Sequence, residues 1–243
     1  MNIQLTGLNE GSLPEQIVSN MYSNINQYVS RYLIYEYISY NRYELKGKLY
    51  MQLRNRGVPR RKCKSAIKVK IPNRVGIEQR PEIAAKGIEY GHFEGDTIVS
   101  KDHNSCVVTI TEKKTLQEFI IPVMKMDATN VANAIITRLS QLDLPVKTLT
   151  VDNGFEFYKH ELIAQILCCD VYFAKPFCST DKAQVEYQNG LIRDFVPKGS
   201  DFRFIEREYW AEIENNLNTR PRKKFGWKTP NQMVALEGRN GCT

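Results

Sequence analysis

The sequence predicts an α/β fold, a central mixed sheet flanked by helices and preceded by a small helical part. Three observations carry that expectation. Between residues 92 and 174, strand-like runs come first as a group of three and then alternate with helical periods. An acid-free basic stretch, 46–74, separates this region from an N-terminal part whose apolar residues recur at helical spacing. A hydrophobic fraction of 42% in 243 residues provides for one ordinary core with a smaller appendage.

Taken in order, residues 1–12 have little apolar periodicity and read as a leader. Ser12-Leu-Pro-Glu-Gln-Ile-Val18 reads as a helix start, with serine at the cap, proline in the first turn and acid close behind. Ile17 and Met21 continue it, and Asn24 or Asn26 breaks it. Gln27 to Tyr40 reads as a second helix, with Tyr28, Tyr32 and Tyr35 at i, i+4 and i+7. Two short helices around a polar turn suit half of a helix-turn-helix, and suit a plain helical hairpin equally. Strands follow at His92–Val99, Ser105–Thr111 and Leu116–Pro122. A helix capped by Asp127 spans Ala128–Leu142. Then come a strand at Lys147–Val151, a helix at Lys159–Leu167, a strand at Val171–Ala174, the loop Lys175–Thr180, and a helix carrying Glu186. Three strands, then helix, strand, helix, strand, helix is the order of a ribonuclease H-like core. The domain reading is 1–45 leader and helix-turn-helix-like region, 46–84 basic linker, and 85–243 catalytic domain with a basic C-terminal segment.

Bulk properties narrow the function. No apolar run reaches the roughly 20 residues of a membrane span, and no signal-peptide pattern opens the chain, so a cytoplasmic, nucleoid-associated address without a membrane partner is expected. None of the six cysteines forms Cys-x-x-Cys, and the three histidines do not fall at zinc-ligand spacings from them. Adjacent Cys168 and Cys169 read as small apolar residues near a buried strand, and Trp210 and Trp227 as packing residues. Net charge is +7. From Lys46 to Arg74 there are eleven Lys or Arg and no Asp or Glu, and Arg220-Pro-Arg222-Lys-Lys224 with Lys228 forms a second knot. Such stretches attract phosphate backbones; Arg60, Arg61 and Lys62 are the expected backbone contacts.

Three acidic residues carry the chemistry. Asp96 sits in the first strand, Asp152 ends the fourth, and Glu186 lies 34 positions beyond Asp152. Two strand-end aspartates and a helical glutamate suit a pair of Mg²⁺ (or Mn²⁺) ions, which take oxygen ligands and leave positions open for phosphate and water. Two such ions clamp the attacking and leaving oxygens of a phosphoryl displacement. Asn153-Gly154 reads as a tight turn using glycine's tolerance of positive φ to aim Asp152, and Glu156 is close enough to support the ligands. His92 and Glu94 share the strand face of Asp96; they either support the site or form a plain polar strand face.

At this point the residues resemble a known family. Gly91-His-Phe-Glu-Gly-Asp96, Val151-Asp-Asn-Gly-Phe-Glu-Phe157, Glu186-Tyr-Gln-Asn-Gly-Leu-Ile-Arg193 and Phe195-Val-Pro-Lys-Gly-Ser-Asp-Phe202 are similar to the signature blocks of the insertion-sequence-thirty family of bacterial DDE transposases. Tyr43-Glu-Leu-Lys-Gly-Lys-Leu-Tyr50, Asn218-Thr-Arg-Pro-Arg-Lys223 and Lys228-Thr-Pro230 resemble its flanking blocks, so the likeness covers most of residues 12–235. It implies DNA strand cutting and joining at an insertion sequence's ends, with terminal inverted repeats and target DNA as double-stranded partners and a homo-oligomer on DNA. It also implies that Arg193, two helical turns beyond Glu186, meets DNA, with Asn189 between them. Departures are Thr180 and Ala183 where the family tends to have Trp and Gly, Tyr187 in place of Asn, and the lack of the usual first helix-turn-helix. A truncated, catalytically silent DNA-binding remnant and a nuclease of the same fold are the alternatives.

Overall fold

The computed structural model describes residues 16–19, 30–53, 71–175 and 179–240. They divide into two compact units, one of 16–53 with 220–229 and one of 71–219 with 230–240.

In the smaller unit, residues 16–19 are helical and helix α1 spans Arg31–Tyr43. Ser30, in extended backbone, caps it, its hydroxyl accepting from the Leu33 amide; the expected start at Gln27 lies outside the described residues. The tyrosine stripe is not the buried face. Ile34 and Ile38 are buried beside Ile17, while Tyr32 is 74% exposed and Tyr35 also faces solvent. Two isoleucines one turn apart outcompete phenols, whose hydroxyls retain water more cheaply at the surface. Gln16 donates to the Pro221 carbonyl at 3.1 Å within the same unit. Ser12, Met21 and Tyr28 lie outside the described residues.

The larger unit opens with a short helix α2, Glu82–Lys86, closed by Gly87 at φ 60°. Five strands follow: β1 His92–Val99, β2 Cys106–Glu112, β3 Glu118–Val123, β4 Thr148–Val151 and β5 Asp170–Phe173. Their order is β3-β2-β1-β4-β5. The first three pair antiparallel and β4 and β5 run parallel to β1, the mixed sheet of a ribonuclease H-like core. β3 begins two residues later than its apolar run because Leu116 sits in the hairpin turn at φ 58°.

Helix α3, Ala128–Leu139, is capped as expected, Asp127 accepting from the amides of Thr129 and Asn130 at 3.1 and 2.9 Å. Helix α4, His160–Leu167, ends at Cys168 in the left-handed region. That corrects the reading of the cysteine pair: Cys168 is exposed at the helix end, and only Cys169 is buried. Helices α5 Ala183–Phe195, α6 Arg207–Thr219 and α7 Pro230–Asn240 complete the unit.

Alternation along the strands divides the core between the two faces of the sheet. Phe93, Val108, Phe119 and Leu149 pack with Val131, Ile135 and Leu139 of α3 and Ile163 of α4. Ile98, Val107 and Ile120 face the other way, onto Leu191 and Ile192 of α5 and Trp210, Ile213 and Leu217 of α6. Each such side chain contributes about 1.5–3 kcal/mol by burial, so α5 is held to the sheet by its own apolar stripe. Trp210 is core, its ring edge-on to Phe202 at 5.2 Å.

Candidate active site

The register of the central strands brings the two aspartates together. β1 and β4 run parallel with Glu94 opposite Thr150. Two residues further along each chain stand Asp96 and Asp152, side by side where β4 ends. His92, Glu94 and Asp96 all face the α5 side, as the two-residue period requires.

A lysine joins the aspartates. The Lys182 ammonium lies 3.1 Å from Asp96 Oδ1 and 3.9 Å from Asp152 Oδ2, with its side chain 7% exposed. It also reaches the Gly95 carbonyl at 3.4 Å. The second oxygen of Asp96 accepts from Asn189 Nδ2 at 2.8 Å. Burial among these groups pushes the Asp152 carboxyl above the ordinary carboxylate range, opposed by Lys182 and reinforced by Asp96 and Glu156.

The surrounding residues serve these two. Asp152 Oδ1 accepts from the Gly154 amide at 3.1 Å. Gly154 itself has φ −74°, so its glycine is not needed for positive φ as the sequence suggested. A Cβ there would meet the Glu156 carboxylate, the movable end of a side chain. Glu156 in turn accepts from Thr97 Oγ1 of β1 at 2.9 Å. Asn153 accepts from Arg74 and donates to the Ala174 carbonyl at 2.7 Å, linking the ends of β4 and β5. Gly95 leaves space for Val151 and Leu149, which a Cβ would meet at 3.3 and 3.4 Å.

Glu186 is exposed on α5. Among the described residues no three His, Cys, Asp or Glu side chains converge closely enough to hold a metal ion. The expected triad is thus drawn together only as a pair, with a physical reason: converging carboxylates repel, and Lys182 supplies the neutralising charge. Glu186 nevertheless shares a helical face with Asn189 at i+3, one of the two residues bonded to Asp96. The other, Lys182, stands at the N-cap position of the same helix, in backbone that is not α-helical, and was absent from the sequence-based candidates.

Other candidates fall elsewhere. Arg193 donates to the carbonyls of Val99 and Pro197 at 3.4 Å, and burial lowers its pKa. His92 bonds Thr148 and Glu89 at 2.9 and 3.0 Å, at the far end of β1 from Asp96, and is structural. Glu94 binds Lys113 and the start of α5. Arg60, Arg61 and Lys62 lie outside the described residues.

Sequence comparison gives the lineage. The chain is 39% identical over 227 residues to the transposase for insertion sequence element IS4351 of Bacteroides fragilis, covering 93% of this chain and 69% of that protein. It is 31% identical over 212 residues to the transposase for IS1086 of Cupriavidus metallidurans, covering 85% and 62%. It is 29% identical over 167 residues to the transposase InsI for IS30A of Escherichia coli, covering 68% and 43%. The chain thus spans roughly two thirds of the first two relatives and under half of the third. Among solved structures, the catalytic core domain of BIV integrase is similar at TM-score 0.49 and 15% identity, over 62% of this chain and 97% of that one. No family model matches. The chain belongs to the IS30 family of transposases.

Proposed function

We propose that this chain cuts and joins DNA strands at the ends of an insertion sequence by DDE-type phosphoryl transfer, with Asp96, Asp152 and Glu186 as the acidic residues. One observation carries the reading: Asp96 within β1 and Asp152 just past the end of the parallel strand β4 share a single cation, at the start of the helix that bears Glu186. The donor set suits hard divalent ions. Both aspartates are oxygen ligands already within reach of one positive charge, and Asn189 Oδ1 is buried beside them with no hydrogen-bond partner among the described residues. Asp96, Asp152 and Glu186 would hold two Mg²⁺ or Mn²⁺ ions, with Lys182 moving out of the space between the aspartates. Bound there, the ions would supply Lewis-acid stabilisation of the phosphoryl oxygens.

The remaining work belongs to the chain. The Gly154 amide fixes Asp152, and Asn189 fixes Asp96. Cutting hydrolyses one phosphodiester and leaves a 3′-hydroxyl, which in joining attacks a target phosphodiester, so no serine or tyrosine nucleophile is required. Double-stranded DNA, as terminal inverted repeats and target, is the proposed partner of a homo-oligomer. Arg193 and Asn189 are the proposed contacts near the scissile phosphate, with Arg60, Arg61 and Lys62 on flanking backbone. The acidic core assigned here lies within 85–243, and among the described residues no helix is long and apolar enough to cross a membrane.

The exposure of Glu186 outside the aspartate pair favours a second reading, a chain that occupies its DNA without cutting it. Strand cleavage of the element's own end in Mg²⁺ decides between them. Wild type should cut, while Asp152→Asn should abolish cutting and leave DNA binding intact or tighter. Equal cleavage by both proteins would refute the assignment; binding without cleavage by wild type would establish the second reading.

A further inference from the structure

Helix α5 begins without a cap of its own. Its N-cap position is Lys182, which makes no side-chain capping bond and has no acceptor to make one with. The first amides of a helix lack intrahelical partners, and leaving them buried and unpaired costs stability. They are satisfied from another element. Glu94, on β1 and 1% exposed, accepts through Oε2 from the amides of Gln184 and Val185 at 3.1 and 3.3 Å. Its Oε1 pairs with the Lys113 ammonium, which is nearly as buried. Gln184 Nε2 then donates to the Lys113 carbonyl at 3.2 Å, and Gln188 Nε2 to that of Leu116 at 3.3 Å. One carboxylate thus caps the second and third residues of α5 and complements the positive end of its dipole, while tying the helix to the strand that carries Asp96.

We propose that Glu94 is a positioning residue: a cap supplied in trans by β1 that fixes the axial and rotational setting of α5, and through it Lys182, Glu186 and Asn189 relative to Asp96. The inference rests on the reading of Asp96, Asp152 and Glu186 as metal ligands. One residue separates Glu94 from Asp96, and one separates Gln184 from Glu186, so the bond joins the two arms of the site beside their ligands. Apolar packing of Leu191 and Ile192 holds the far part of the helix, while the Glu94 carboxylate takes the amides of its first turn.

The test compares variants that remove the cap with one that keeps it. Glu94→Leu/Lys113→Met removes both buried charges and the acceptor; Glu94→Gln/Lys113→Met removes the charges and keeps a carbonyl acceptor. Glu94→Asp preserves the charge opposite Lys113 and withdraws the carboxylate by one methylene, a second variant should the leucine protein fail to fold. The readouts are Mn²⁺ affinity by calorimetry and hydrogen exchange at the Gln184 and Val185 amides. Exchange should accelerate at least tenfold in the leucine and aspartate proteins, with Mn²⁺ affinity falling about tenfold to a hundredfold, the range for residues that orient metal ligands. The glutamine protein should stay within about threefold of wild type in affinity, a rescue that mere loss of the buried ion pair would not give. Faster exchange with unchanged Mn²⁺ affinity, or equal affinity in the two double variants, would overturn the proposal. Glu186→Gln separates the two claims: if it leaves Mn²⁺ affinity unchanged, the metal-ligand reading fails instead.

Discussion

Replacing Lys182 by Met removes the ammonium that stands between Asp96 and Asp152 and keeps most of its apolar length. At 3.1 and 3.9 Å, and an effective dielectric of about 20, the two attractions amount to about 5 and 4 kcal/mol before desolvation. Withdrawing the ammonium and Asp96 from water costs several kcal/mol per ion, so most of that is offset. A hydrogen bond to a charged group nets about 1.5–3 kcal/mol. Lys182→Met should therefore lose about 2 kcal/mol in the presence of chelator, a fall of about 4–8 °C in melting temperature for a chain of this size. Divalent metal should reverse much of the loss. In wild type a metal must expel the ammonium; in the variant it meets two uncompensated carboxylates, so its binding stabilises the folded state more. Thermal melts across a Mg²⁺ titration are the assay, and the gap between the proteins should close to under about 1 kcal/mol at saturation. An equal deficit at every Mg²⁺ concentration, or a weaker metal response in the variant, would show that Lys182 does not compete for the metal position.

Two further outcomes follow. Burial lowers the His92 pKa, against the opposing effect of Glu89; the unfolded chain therefore takes up this proton near 6.5 while the folded chain still refuses it, and stability falls as pH drops below 6.5. His92→Asn should lack that component, and parallel melting-temperature profiles between pH 5 and 7 would refute it. Changing Arg60, Arg61 and Lys62 to Ala should weaken binding to all DNA sequences alike and shallow the salt dependence by about one log unit of slope per lost phosphate contact; a loss confined to cognate ends would mean that these residues read sequence.

Much of the core was legible because its signals are local. The β1 strand runs from His92 to Val99 as its alternation indicates, and Asp127 caps α3 through its own side chain. Of the aspartate pair, the strand-end position was legible for Asp152, which follows β4 directly, whereas Asp96 stands in the middle of β1 and not at its end. What escaped depended on partners distant in sequence. Lys182 was not among the residues singled out in the sequence, because its meaning comes from Asp96, 86 residues earlier. Glu94 read as an ambiguous polar strand residue until Gln184 and Val185 came to it from 90 and 91 positions away. Gly154 was assigned to backbone freedom, yet its φ of −74° is one that any residue adopts. The tyrosines of α1 had the right period and the wrong face, since periodicity cannot rank a phenol against an isoleucine one turn away.

If Asp96, Asp152 and Glu186 hold divalent ions where Lys182 now stands, anomalous scattering from crystals of the protein bound to Mn²⁺ and an end-sequence DNA should reveal them. A Mn²⁺ peak coordinated by both aspartates is expected, with a second involving Asp96 and Glu186, and the Lys182 ammonium displaced from between the carboxylates. Saturating Mn²⁺ with no peak at the aspartates, and Lys182 still bridging them, would contradict that assignment.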